Sequence, residues 1–168
     1  MQDQRIRDMV RALRPSQDKP LWYGGATLIG SLRGVSAEQA AWKPQGLKNS
    51  IWRLALHCAY SQYLVRRKFA ESEERGTFPR KGGYWPALPE AIDDKTWAAD
   101  RALLREEHQH LVEAVAGFDP ARLDDLPPGN KRWTYADLLL GVVQHDTYHT
   151  GQIQVLKRLW AQEHIQEY

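Results

Sequence analysis

Near the C-terminal end of the sequence, His145 and His149 stand four residues apart in the stretch HDTYHTGQI, with Asp146 directly after the first. On an α-helix, that spacing leaves two side chains about 40° apart around the axis and about 6 Å apart along it, so two imidazoles converge on one point. Both fall on the apolar stripe of their segment rather than on its polar face. An imidazole without a partner there forfeits its hydrogen bonds to water, and a divalent ion replaces them. Hydrogen bonds within a core do so too, and the pair alone does not decide between the two. A third nitrogen has to come from elsewhere. His57, three residues after Leu54 and four before Ser61, belongs at the edge of the inward face of an upstream helix and is the best candidate. Three histidines from two helices leave one or more coordination positions open, as reactive sites do and closed structural sites do not.

The same residues share the spacing of the HExxH zinc-protease helix, with Asp in place of Glu. The rest of the chain argues against that reading. Six residues past His149 stands Val155 where a third histidine belongs, and Glu163, His164 and Glu167 lie on or just beyond the same helix, whose axis carries them away. Asp146 keeps two roles open: a catalytic base, or a side chain that orients a histidine or bonds a neighbouring helix. It is one methylene shorter than Glu and about 100° around the helix from His145. Gln152 is placed to hydrogen-bond an imidazole N–H or to bridge helices. Gly151 is expected to admit another helix closely. His108 reads as a hydrogen-bonded core histidine, and His110 and His164 as solvated. Glu107 with His110 makes one ExxH pair, whereas a di-iron bundle needs two. Cys58 reads as a buried inert thiol, and Arg66, Arg67 and Lys68 as a solvated face.

Composition narrows the classes. Lys and Arg (23) nearly balance Asp and Glu (21), so no field steers the chain to nucleic acid or anionic lipid. No run of about eighteen apolar residues suggests a membrane span, and the first fifteen residues lack the apolar core of a signal peptide. The single cysteine excludes an internal disulfide and a thiolate cluster, leaving nitrogen and oxygen ligands and pointing to the cytoplasm. The length of 168 residues suits one domain, 1–168.

The elements that must position the histidines are helices. Apolar spacing predicts a short helix over 3–14, a second over 21–33 weakened by Gly24 and Gly25, and a brief turn capped by Ser36 before Pro44. Longer helices follow: 51–74 capped by Asn49 or Ser50, 95–117, and a last one capped by Thr134. The stripe of that last helix runs Leu138, Val142, His145, His149, Ile153, Leu156, Trp160. No segment alternates long enough for a strand. Each helix has one apolar stripe to cover, so the fold class is an all-α bundle. Between the long helices, residues 76–94 are rich in Gly and Pro and read either as a lid or as a loop wrapping the bundle with Trp85 plugged into its end.

Taken together, SIWRLALHCAYSQYLVRRKF and QHDTYHTGQIQVLKR resemble the DinB/YfiT-like superfamily of metal-binding bundles, and GVSAEQAAWKP and the Leu21–Gly25 stretch extend the likeness over most of the chain. The resemblance implies an up-down-down-up four-helix bundle with short extra N-terminal helical elements. It implies a nickel, zinc or iron ion held by His57, His145 and His149, a homodimer, and a small-molecule substrate such as a low-molecular-weight thiol. Relatives include thiol S-transferases and proteins described as metal-dependent hydrolases, and the resemblance carries no implication of DNA binding. Where close relatives have Trp-His-Gly, this chain has Trp22-Tyr23-Gly24. With Asp146, Tyr23 is a candidate catalytic residue. Arg80 and Lys81 in the 76–94 loop could clamp an anionic thiol. Two readings therefore stand: a metal-dependent transferase or hydrolase, and a non-catalytic metal-binding stress-response or interaction module.

Overall fold

The computed structural model describes residues 3–14, 25–70 and 77–164. Among them are six α-helices and no strand: α1 (Gln4–Leu13), α2 (Leu28–Ser31), α3 (Ala37–Ala41), α4 (Ile51–Phe69), α5 (Asp94–Ala116) and α6 (Tyr135–His164), with a single 3-10 turn at Pro120–Arg122. No helix among the described residues is long and apolar enough to cross a membrane.

The starts follow local capping chemistry. Ser50 accepts the amide of Arg53, and Asp93 and Thr96 form a reciprocal capping box. Thr134 and Asp137 exchange the same pair of bonds at the head of α6. Two expectations change. The 21–33 helix reduces, over its described part, to one turn, because Thr27 is extended and caps Gly30. The 51–74 helix stops at Phe69, where Ala70 turns extended; Gly76, its expected stop, lies outside the described residues.

Contacts fix the topology. Trp52 meets Trp97 at 5.0 Å and Arg66 reaches Glu107 at 2.9 Å, so α4 and α5 run parallel. His57 lies against His149 and Phe69 against Tyr135, so α6 runs antiparallel to α4. Arg5 pairs with Asp124 beyond the end of α5, while Leu13 and Arg14 lie across a cavity from Arg105 and Gln109, so α1 opposes α5. The four longest helices thus form an up-down-down-up bundle. A parallel α4–α5 pair obliges the chain to return along the bundle before α5, which is the physical reason for a long connection.

The apolar core divides into two clusters. One gathers Trp52, Leu54, Trp97, Leu104, Ile153 and Leu156. The other gathers Phe69, Leu111, Val115, Phe118, Leu139 and Val142. Between them, on α4, α5 and α6, lie the buried polar side chains His57, Gln62, Glu107, His149 and Thr150, with Tyr63. Leu138, assigned to the inward stripe, is half-buried, and Leu139 takes the core position. Arg66 is no solvated charge, since it pairs with buried Glu107 and lies with Arg67 over the Tyr63 ring. Gly151 admits no neighbouring helix: a Cβ there meets nothing within 4 Å. Gly151→Ala is therefore expected to stabilise the fold by up to about 1 kcal/mol, read as a rise of about 2–4 °C in Tm.

Candidate metal centre

The polar layer brings His57 from the second turn of α4 against His145 and His149 from the middle of α6. One ligand atom from each lies within 4.8 Å of the others, a set that could hold a metal ion. The ring centroids are 4.4 to 4.8 Å apart. Nε2 of His57 and Nε2 of His145 are 2.9 Å apart. Two nitrogens each about 2.1 Å from one ion are separated by about 3.0–3.4 Å at ordinary coordination angles, so the spacing is close to that of ligands sharing an ion.

The opposite edges of two rings are already engaged. The Nδ1–H of His57 donates to the Tyr84 carbonyl, and the Nδ1–H of His149 donates to Gln152 Oε1 at 2.7 Å. Each bond places the proton on Nδ1 and leaves Nε2 as a bare lone pair, which on His57 faces His145. On the third ring, Nδ1 of His145 is buried without a hydrogen-bond partner, 3.6 Å from Asp146 Oδ1, which is equally unpartnered. A proton on His145 Nδ1 suits Asp146 but sets two Nε2 lone pairs face to face. A proton on Nε2 relieves that pair and sets a bare nitrogen against a carboxylate. A cation among the Nε2 atoms removes the conflict, and so does a doubly protonated His145.

Asp146 itself turns toward α4, where Gln62 Nε2 donates to its Oδ2 at 2.6 Å. It sits on the Nδ1 side of His145, a position for orienting that ring rather than for facing an ion on the Nε2 side. Cys58, His145 and Asp146 form a second cluster within 4.8 Å. Burial, with the Asp146 carboxylate, pushes the Cys58 thiol well above its ordinary value, so it stays protonated, inert and a poor ligand. Tyr23, the other catalytic candidate, lies outside the described residues, as do Trp22, Gly24 and Glu167. His110 is exposed; His164, also exposed, stacks on Trp160. His108 is half-buried beside Asp146 and outside the triad.

The crossover loop closes one approach. Trp85 stacks on His57, with centroids 3.9 Å apart and planes 6° apart, and the Arg53 guanidinium lies 5.7 Å from the Trp85 ring centroid. Gly82 at φ 111° lets the backbone approach Trp85 O, and Ala87 N bonds Lys81 O at 2.9 Å. Arg80, expected as a clamp or a solvated charge, is neither: it bonds Asp100, a 2% exposed carboxylate that also accepts the Trp52 indole N–H at 2.7 Å. Lys81 is exposed. Sequence reasoning missed Asp100, Gln62 and the Tyr84 carbonyl. The first lies three residues past Trp97 on the α5 stripe and was findable there, whereas a main-chain acceptor leaves no mark in residue type.

Burial holds His57, His149 and His108 below the ordinary histidine value. The unfolded chain, with histidines near about 6.5, then binds more protons than the folded one as pH falls below that value. Stability of the chelated protein is therefore expected to be full above pH about 6.5 and to fall below it. Denaturation midpoints at about pH 7.5 and 5.5 test this. An unchanged fall in His57→Gln and His149→Gln variants would assign it to other groups.

An all-α bundle with a three-histidine centre at mid-height is the class that this fold and site define. Over residues 24–153 the chain matches the family model of the DinB superfamily, and it belongs to that superfamily. No curated protein and no solved structure matches it.

Proposed function

We propose that the protein binds one divalent ion through Nε2 of His57, His145 and His149 and acts with it on small molecules, by thiol transfer or a related hydrolase-like reaction. The observation that carries the reading is the pair of inward Nε2 atoms 2.9 Å apart with the His57 Nδ1 already donating to a carbonyl. The ion would supply Lewis acidity, favouring deprotonation of a water or thiol at its open position. The chain's own residues do the rest. Tyr84 and Gln152 set the tautomers of His57 and His149, Asp146 orients His145, and Trp85 keeps water from the His57 face. Imidazole ligands suit nickel, zinc and iron alike, so the donor set does not select one. A cytoplasmic homodimer acting on a low-molecular-weight thiol completes the proposal.

Protein purified without an affinity tag is expected to carry one ion per chain by elemental analysis. It should turn over members of a panel pairing cellular thiols with electrophiles, and lose that turnover to a chelator. Ion-replete protein inert across the panel supports the non-catalytic metal-binding module. Metal-free protein whose His145 is doubly protonated by NMR supports a hydrogen-bonded core and ends the metal reading.

A further inference from the structure

A cavity of about 650 Å³ lies between α4 and the first half of α6, with His145 at one end and Lys68 and Asp137 in its lining. That volume is within the range of small-molecule sites, about 300–1,000 Å³. Its position relative to the triad is informative. His57 and His149 are 7% and 6% exposed, whereas the His145 side chain is 28% exposed, and His145 is the triad member that lines the cavity. With Trp85 stacked over His57, the cavity is an approach to the centre that the loop leaves open.

The walls are apolar. Leu64, Val65 and Leu138 are half-buried, and Trp133 and Tyr84 stand at the margins 48% and 63% exposed. Along α4 the lining runs from Ser61 to Lys68, about 10 Å at about 1.5 Å per residue. The two charges at the far end are unequally engaged. The Asp137 carboxylate accepts the Thr134 amide in the α6 cap, which holds it below the ordinary carboxylate range. The Lys68 ammonium has one long hydrogen bond, 3.3 Å to the Pro128 carbonyl, among the described residues.

We propose that this groove is the substrate subsite and takes an elongated, largely apolar molecule about 10 Å long, with a metal-seeking donor end at His145 and an anionic end at Lys68. The proposal rests on the metal reading above and adds the substrate class.

The test uses ω-mercaptoalkanoates of three to eight carbons on protein loaded with cobalt(II), where the thiolate-to-cobalt absorption band reports binding. Each methylene buried in the groove is worth about fourfold in affinity, so burial of only two of the methylenes that separate 3-mercaptopropanoate from 8-mercaptooctanoate should make the longer acid bind at least about tenfold tighter. Lys68→Gln, at an exposed position, should weaken the eight-carbon acid several-fold and leave 8-mercaptooctanol unchanged. Leu138→Asp should flatten the chain-length series while cobalt uptake stays intact. Affinity independent of chain length on cobalt-loaded protein overturns the groove and leaves the metal reading standing.

If no cobalt binds, the metal reading falls, and the groove is read without it from the Trp133 indole N–H signal, assigned with Trp133→Phe, on titration with octanoate. A saturable shift lost in Leu138→Asp supports the groove, and no shift overturns it. A second copy of the chain seated there would show as a Leu138→Asp change in oligomeric state with no uptake of long thiols, which also overturns it.

Discussion

On the proposed metal reading, His149→Ala is expected to abolish retention of the ion and, with it, the thermal stabilisation that the ion confers. Loss of an outer hydrogen-bond partner of a ligating histidine costs about 10–100-fold in metal affinity, and loss of the ligand itself exceeds that. An ion present at about a thousand times its Kd stabilises the folded state by about 4 kcal/mol. For a chain of this length that corresponds to about 8–16 °C in Tm. Chelator should therefore lower the Tm of the parent by that amount and leave His149→Ala unmoved. His149 is chosen because its Nδ1 is engaged by Gln152, which leaves Nε2 as its free donor, and because it belongs to the triad. Gln152→Ala provides the graded control: it removes the acceptor and keeps the ligand, so the chelator shift should shrink without vanishing. Equal chelator shifts in parent and His149→Ala would place the ion elsewhere.

The second large effect concerns the anchor of the crossover loop. Arg80→Ala removes the cation from Asp100, whose side chain is 2% exposed and, among the described residues, keeps only the Trp52 indole N–H. Leaving a buried carboxylate without its cation costs about 3–5 kcal/mol, and the 31% exposure of the Arg80 side chain favours the lower end. A fall of about 6–12 °C in Tm follows. Because the loop also carries Tyr84 and Trp85, the same variant should bind the ion more weakly. Arg80→Ala combined with Asp100→Asn should recover part of the loss, since the amide still accepts from Trp52 and needs no counter-charge. A single variant within about 0.5 kcal/mol of the parent would show that the pair contributes nothing.

The interrupted core links these two predictions. A bundle of this size gains most of its stability by burying apolar surface, yet here one mid-height layer holds His57, Gln62, Glu107, His149 and Thr150. Each of these groups needs a partner once it leaves water. Arg66 provides one for Glu107, Asp146 one for Gln62, and Tyr84 and Gln152 provide partners for two of the imidazoles. The unpartnered atoms Gln62 Oε1, Asp146 Oδ1 and His145 Nδ1 also belong to this layer.

What could be read from the chain was whatever depends on spacing. The helical period of α4, α5 and α6, the caps at Ser50 and Thr134, and the convergence of His145 with His149 follow from residues three or four apart on one helix. Bringing His57 beside that pair requires α4 to oppose α6 in one particular register, which only tertiary packing decides. The Trp85 stack, the Arg80–Asp100 anchor and the tautomer-setting Tyr84 carbonyl arise from a crossover whose course no local periodicity encodes. Local order follows from the sequence because neighbours along a helix are set by bond geometry. The site's surroundings come from the fold, because residues separated by 88 positions, as His57 and His145 are, meet only where the whole bundle places them.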